Sequence, residues 1–459
     1  MSGSASLDDL DVQLSTLEQH LLPVPIYTQI CLCFALTDTS SHSVIINTLT
    51  KGLERLSASF PWVAGQIVTD AVDGGSTETK IKSFEKTPPL IVRDFSNDAS
   101  IPTMDALRRA KFPMRMLDEG YVAPRKTLPD GSKETSRPVF LVQATFIAGA
   151  LLLTFLAAHE TMDGVAQGHV IHLFSKACCN EAFTNEELST GNLPRHNIIP
   201  LLNDPYQPGP ELGPPSRKPN PSHSSPNEAT DLPKCSWVDF AFREDSLIAL
   251  KSLAMETVPR SSGYISTDDA LTALIWQSVT RARLPRLDPA AETIFARAVN
   301  VRRYLNIPET FPGLVQNMTY HIYPTQKLVE ESLGAIASQF RSAVDPKTSQ
   351  LAYNTRSLAT FLSRPSKDKN RTFLSDMDYS TDIALSSWVK LDCYELEFGL
   401  DLGQPEAVRR PQFVPVEGLM YMLPKRQDSE VAMAVCLRDE DIERLRADEE
   451  FAKYGTYIK

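Results

Sequence analysis

Between residues 200 and 233 the chain carries ten of its 33 prolines, interleaved with Asn, Ser and Gly. Proline fixes φ and donates no backbone hydrogen bond, so this stretch supports neither helix nor interior strand and takes an extended surface path. It splits a chain of 459 residues, too long for one ordinary core, into two parts of roughly 200 residues each. The expected organisation is an N-terminal domain at 1–199, a crossover at 200–233 and a C-terminal domain at 234–459.

Both parts mix the periods of helix and strand. In residues 44–57, Ile46, Leu49, Leu53 and Leu56 fall at helical spacing, and Phe60-Pro61-Trp62 ends that helix. Residues 139–147 are rich in β-branched and aromatic side chains. Ala148-Gly149-Ala150 interrupts them, and 151–158 resume as a nearly all-apolar run, the mark of a strand covered on both faces. From Met162 onward Val165, His169, Leu173 and Ala177 share a helical face. His159 therefore stands where a buried strand turns into a helix, which presents a side chain from a rigid edge. After the crossover, 237–242 read as a strand and 245–255 as a helix, with no repeat at solenoid or propeller periods. The fold class expected is α/β, two similar mixed-sheet domains with a cleft between them.

Composition excludes several functions. Lys and Arg number 46 against 57 Asp and Glu, a net charge of -11. That balance repels polyanions, and no basic run offsets it, so nucleic acid is not an expected partner. A small anionic molecule held by a few local cations or a helix N-terminus remains compatible. The longest apolar run, 146–158, is too short for a bilayer that needs around 20 helical residues, and residues 1–22 have no secretory pattern. No membrane partner is expected. Seven cysteines, an odd set without CxxC spacing, suggest neither disulfide framework nor zinc site and fit a reducing, cytoplasmic compartment. No metal and a monomeric state are the expectations.

The string that carries chemistry is Ala157-Ala158-His159-Glu160-Thr161-Met162-Asp163-Gly164. It supplies an imidazole, a carboxylate four positions on and a glycine that eases a turn. A hydroxyl is too weak an acid to attack a thioester unaided, whereas a histidine titrating near neutrality can take its proton as the new C–O bond forms. The bland reading is a core histidine with its hydrogen bonds satisfied. Neither a GxSxG elbow nor a P-loop competes with this string.

The chain resembles the CoA-dependent acyltransferases known as the BAHD superfamily, whose HxxxDG signature is met by His159, Asp163 and Gly164. Phe60-Pro61-Trp62-Val63-Ala64-Gly65 looks like the family's Phe-Pro-x-x-Ala-Gly turn, and residues 266–276 are similar to its helix ending in Trp. Asn300-Val301-Arg302, Pro312-Gly313 with Asn317, Ser386-Ser387-Trp388 and residues 421–426 follow in the family's order. One departure stands out. The family's Asp-Phe-Gly-Trp-Gly motif appears as Glu397-Phe398-Gly399-Leu400-Asp401-Leu402-Gly403. This change, the long crossover and the residues around His159 look most like the fungal trichothecene 3-O-acetyltransferases.

The resemblance implies acetyl-CoA as donor and a small-molecule alcohol as acceptor, the C3 hydroxyl of a sesquiterpenoid mycotoxin, meeting in a channel between the domains. It implies His159 as general base without a covalent intermediate. Asp163 is either a relay partner of His159 or, as the family pattern implies, a structural carboxylate paired with Arg302. Trp388 either donates its indole N–H to the developing oxyanion or walls the acyl pocket. Ser386 and Thr267 are candidate contacts to acceptor or CoA, and Asn317 fixes a turn beside the channel or contacts substrate. Three other readings stay open: another alcohol or amine acceptor, a condensation domain, which normally doubles the histidine, or a non-catalytic relative binding a small ligand.

Overall fold

The computed structural model describes residues 10–22, 24–36, 41–72, 76–128, 136–203, 205–214, 233–260, 263–364 and 377–458. Much of the crossover, residues 204 and 215–232, lies outside the described residues. Its described part is irregular apart from one 3-10 turn at Pro210–Leu212.

Seven strands precede the crossover: β1 (Asp11–Gln13), β2 (Tyr27–Ala35), β3 (Gln66–Val72), β4 (Ser76–Lys82), β5 (Leu90–Phe95), β6 (Phe140–Ile147) and β7 (Ala150–Ala158). Eight follow it: β8 (Cys235–Phe242), β9 (Glu292–Asn300), β10 (Gln316–Pro324), β11 (Ile383–Ser387), β12 (Ala407–Arg409), β13 (Leu419–Met422), β14 (Val431–Arg438) and β15 (Gly455–Ile458). They form a five-stranded sheet in the order β12-β2-β7-β6-β5, a seven-stranded sheet β10-β9-β11-β13-β14-β8-β15 and a small sheet β1-β4-β3. Parallel and antiparallel pairs occur in both large sheets, so the class is mixed α/β.

β7 lies at the centre of the five-stranded sheet, antiparallel to β2 and β6, and all nine of its residues are buried. Leu151, Leu153 and Phe155 join a core shared with the helices His42–Ser59 and Gly164–Cys178. Ala150 and Leu152 face the other way, onto Cys31, Cys33 and the helix Met104–Ala110. A strand covered on both faces needs no polar alternation, which is why its sequence reads as one apolar run. The helix Gly164–Cys178 packs through Ala166, Val170, Leu173, Phe174 and Ala177. The expected stripe through Val165 and His169 is a step off, because those two side chains are half-buried at its edge.

The seven-stranded sheet has its own core around the helix Thr267–Arg283. Ser266 and Asp269 close a reciprocal capping box at its start. Within it Trp276 is packed against Phe295, Tyr323 and Phe340, with ring centroids at 5.5, 5.6 and 5.8 Å.

Two exchanges lace the sheets together. β12, from beyond the crossover, pairs with β2, and the chain leading to it contributes Trp388, Leu391, Tyr394 and Phe398 to the β7 core. In the other direction, Leu17 and Leu21 in and beside the helix Thr16–His20 pack among Ile294, Val301 and Leu314. The altered glycine motif belongs to the first exchange. Phe398 sits between Phe155 and Phe174, both with centroids at 5.6 Å, and Gly399 adopts φ 61 where a Cβ would lie 3.1 Å from the Cys178 carbonyl. That motif is packing, away from His159.

Candidate active site

The end of β7 is fixed by its own backbone. The His159 N–H donates to the Ile26 carbonyl at 2.9 Å, and the Thr161 N–H and hydroxyl both donate to the Ala158 carbonyl, at 2.9 and 2.8 Å. Asp163 then caps the following helix by accepting from the Ala166 N–H at 2.9 Å. Within this turn His159 Nδ1 lies 2.9 Å from the Met162 carbonyl oxygen. A carbonyl can only accept, so Nδ1 carries the hydrogen and Nε2 keeps its lone pair. Burial holds the imidazole below the ordinary histidine range; the Met162 carbonyl and Asp163 oppose this, and Arg410 adds to it. The result is a neutral imidazole of defined tautomer with a basic nitrogen.

Asp163 does not reach for His159. Its Oδ2 accepts from Arg302 Nη1 and from the Val315 N–H, both at 2.8 Å. The remaining Arg302 donors go to Asn300 Oδ1, the Phe311 carbonyl and the Gly313 carbonyl, at 3.0, 3.1 and 2.6 Å. This buried pair ties the start of the helix to the segment between β9 and β10. A second pair lies beside it: Arg195 Nη1 bridges Glu18 Oε1 at 2.6 Å and the Thr161 carbonyl at 2.8 Å, with its guanidinium 4.4 Å from the Trp62 ring. Glu160, also buried, pairs with Arg137.

A pocket opens where the helix meets the ends of β9, β10 and β11. Asp163, Gly164, Val165, Val299, Asn300, Gln316, Ser386, Ser387, Trp388 and Leu391 line it. Its lining mixes apolar side chains with hydrogen-bonding ones and the Asp163 carboxylate, which is paired with Arg302. A Cβ on Gly164 would come 3.3 Å from Trp388 Nε1, so glycine lets the indole approach the helix. Trp388 Nε1 donates to Ser386 Oγ at 3.0 Å. Its N–H is therefore engaged within the wall, and the ring leans on Tyr421 at 5.2 Å.

Of the residues singled out in the sequence, Asp163, Gly164, Ser386 and Trp388 meet in this pocket, whereas His159 lies one turn away at the strand end and is not in its lining. Thr267 opens the helix Thr267–Arg283 and is half-buried; its neighbour Asp268 reaches Ser387 Oγ at 3.5 Å. Asn317 is buried on β10, donating to Thr355 Oγ1 at 3.0 Å and accepting from the Met318 N–H at 2.7 Å. It stands next to the pocket residue Gln316 without lining the pocket. Sequence reasoning missed Glu18, Arg195 and Arg410, which belong to no motif; nor did it find Gln316, whose polar side chain at a strand start is unremarked by any pattern.

Known proteins place these features in context. A family model described as a trichothecene 3-O-acetyltransferase-like N-terminal domain matches residues 26–178, and one described as the transferase family matches residues 123–452. An O-acetyltransferase of Cryptosporiopsis sp. (strain 8999) is 52% identical, over 99% of this chain and 100% of that protein. The trichothecene 3-O-acetyltransferase of Fusarium sporotrichioides is 44% identical, over 100% of this chain and 99% of its own. A crystal structure of that Fusarium protein complexed with coenzyme A and T-2 matches with a TM-score of 0.90 at 43% identity, covering 98% of this chain and 100% of the other. The chain belongs to the transferase family of BAHD acyltransferases, with an N-terminal domain of the trichothecene 3-O-acetyltransferase-like kind.

Proposed function

We propose that this protein transfers an acetyl group from acetyl-CoA to a hydroxyl of a small molecule, the C3 hydroxyl of a trichothecene, with His159 as general base. The observation that carries the reading is the His159 tautomer: Nδ1 is spent on the Met162 carbonyl, so Nε2 is the proton acceptor. The acceptor class rests on the Fusarium relative, whose structure holds coenzyme A and T-2.

The acceptor hydroxyl gives its proton to Nε2 while its oxygen bonds to the thioester carbonyl carbon. As the tetrahedral adduct collapses the C–S bond breaks, and the imidazolium returns the proton to the departing thiolate. No bond to the protein forms. The Met162 carbonyl, held in the turn that Asp163 and Thr161 shape, accepts from Nδ1–H throughout and steadies the imidazolium. Trp388 and Ser386 wall the acyl side, while Asp163 acts through Arg302 as a structural brace. Thr267 and Asn317 serve at the edge of the same channel, between units at 1–199 and 234–459 joined by 200–233. The protein works as a monomer in the cytoplasm, which suits its seven free cysteines. Among the described residues no helix is long and apolar enough to cross a membrane.

The test is thiol release from acetyl-CoA by purified protein, with and without a trichothecene bearing a free C3 hydroxyl. Release that depends on the trichothecene supports both reaction and acceptor. Release only with other alcohols or amines keeps the chemistry and replaces the acceptor, an outcome the 52% identical relative makes worth including, since its name specifies O-acetyl transfer alone. No release with any acceptor would favour a non-catalytic ligand-binding relative.

A further inference from the structure

Most hydrogen-bonding side chains of the pocket are already spent on the protein itself. Asp163 Oδ2 accepts from Arg302 Nη1 and from the Val315 N–H. Asn300 Oδ1 takes the Arg302 backbone N–H and Nη1, both at 3.0 Å, while Asn300 Nδ2 donates to Glu309 Oε2 at 2.9 Å. The Trp388 indole N–H goes to Ser386 Oγ, and Ser387 Oγ lies 3.5 Å from Asp268 Oδ1. Gln316 differs from all of these. It lines the same pocket, yet among the described residues its side-chain amide has no hydrogen-bond partner.

The backbone of Gln316, by contrast, is held on both sides. One residue before it, Val315 donates its N–H to Asp163 Oδ2 at 2.8 Å and offers its carbonyl to the Val301 N–H at 3.1 Å. One residue after it, buried Asn317 donates to Thr355 Oγ1 at 3.0 Å, on the helix Leu351–Ser363. Gln316 itself stands in register with Asn300 across β10 and β9. Residues 311–315 and 317–319 are all buried, and Gln316 is the half-buried position between them. Its Cα is thus tied, through Val315 and Asp163, to the turn that carries His159. A fixed backbone bearing a neutral side chain with two donors and an acceptor unspent is the form that a recognition group takes.

Gln316 and the Trp388–Ser386 corner stand at opposite ends of the pocket. β10 is the edge strand, β9 lies between, and β11 carries Ser386 and Ser387, so two strand spacings, about 10 Å, separate the ends. The indole end walls the acyl group, which leaves the β10 end for the acceptor. An amide carries no charge, so an uncharged alcohol can cover it without stranding an ion. We propose that Gln316 is a specificity-determining residue: its Nε2 donates to an oxygen of the acceptor other than the hydroxyl that reacts, an ether, carbonyl or second hydroxyl. That bond selects which hydroxyl is turned toward His159. The inference deepens the proposed function and rests on it.

The experiment is steady-state acetyl transfer to a trichothecene with a free C3 hydroxyl by the native protein, Gln316→Met and Gln316→Glu, each substrate varied in turn. Met removes the hydrogen bond at similar side-chain length; Glu keeps the length and the acceptor oxygens but gives up the donors. Both variants should raise the KM of the trichothecene ~5-fold or more, with the KM of acetyl-CoA within ~2-fold of native. An unmoved trichothecene KM in both variants means that the amide meets only water, and overturns the proposal. So does a rise confined to the acetyl-CoA KM, or a loss of kcat with both KM values unmoved, which marks a structural role. A native trichothecene KM in Gln316→Glu beside a raised one in Gln316→Met overturns it too, because the donor would then be irrelevant. Should Gln316→Met not fold, Gln316→Glu decides alone, and calorimetric titration of the trichothecene into the CoA complexes repeats the comparison without turnover. If the native protein releases no thiol with the trichothecene, the proposed acceptor fails and the role of Gln316 with it; native turnover with unmoved variants removes Gln316 alone.

Discussion

At Asp163 one carboxylate does three things: Oδ1 caps a helix, and Oδ2 joins Arg302 and the Val315 N–H. Asparagine can keep the cap but leaves the fully buried Arg302 without its anion. Asp163→Asn should therefore cost about 3–5 kcal/mol, read by denaturant unfolding and soluble yield. A variant with native stability that is impaired only in turnover would instead favour a relay to His159. His159, Asp163 and Gly164 were legible because their spacing is a chemical pattern. Arg302 was legible only through resemblance, since its partner is 139 positions away. Arg410 and Arg195 were not legible at all. What distinguishes them is the partner each has or lacks in three dimensions, and a single sequence does not record that.

At the scale of elements, β7 could be read because burial on both faces removes polar residues from the sequence, and the helix after it because side chains recur at its period, although the stripe through Val165 and His169 is a step off the buried face. β12 could not. Three residues carry no period, and their pairing with Cys31, Leu32 and Cys33 is a tertiary event. β8 shows the opposite case, an acid inside an apolar strand. Asp239 is buried, accepts from the Met114 N–H at 3.0 Å and leaves Oδ1 without a partner among the described residues; burial raises its carboxyl to about 6. The folded state thus holds this proton more tightly than the unfolded chain. Its contribution to stability is fully present below the ordinary carboxylate value and is lost as pH rises through about 6, by up to about 3 kcal/mol. Asp239→Asn should melt higher than the native protein at about pH 7.5, and the gain should vanish near pH 4. Equal differences at both pH values would show that the charge is not what burial penalises.

Across the whole molecule, the proline-rich stretch led to the expectation of two parts, while the lacing of the two large sheets was hidden. β12 and the residues before it enter one core, Leu17 and Leu21 enter another, and two buried ion pairs grip the His159 turn from the far side of the crossover or the chain's beginning. The site is therefore made by both sheets: β7 presents the imidazole, and β9, β10 and β11 supply the pocket beside it. Such an arrangement lets chemistry be removed without removing binding. The decisive measurement compares native protein and His159→Ala for acceptor-dependent thiol release, with CoA affinity followed by calorimetry. The expected result is a rate lower by ~10²- to 10⁴-fold with CoA affinity unchanged; full turnover by His159→Ala would contradict the assignment of His159 as the base.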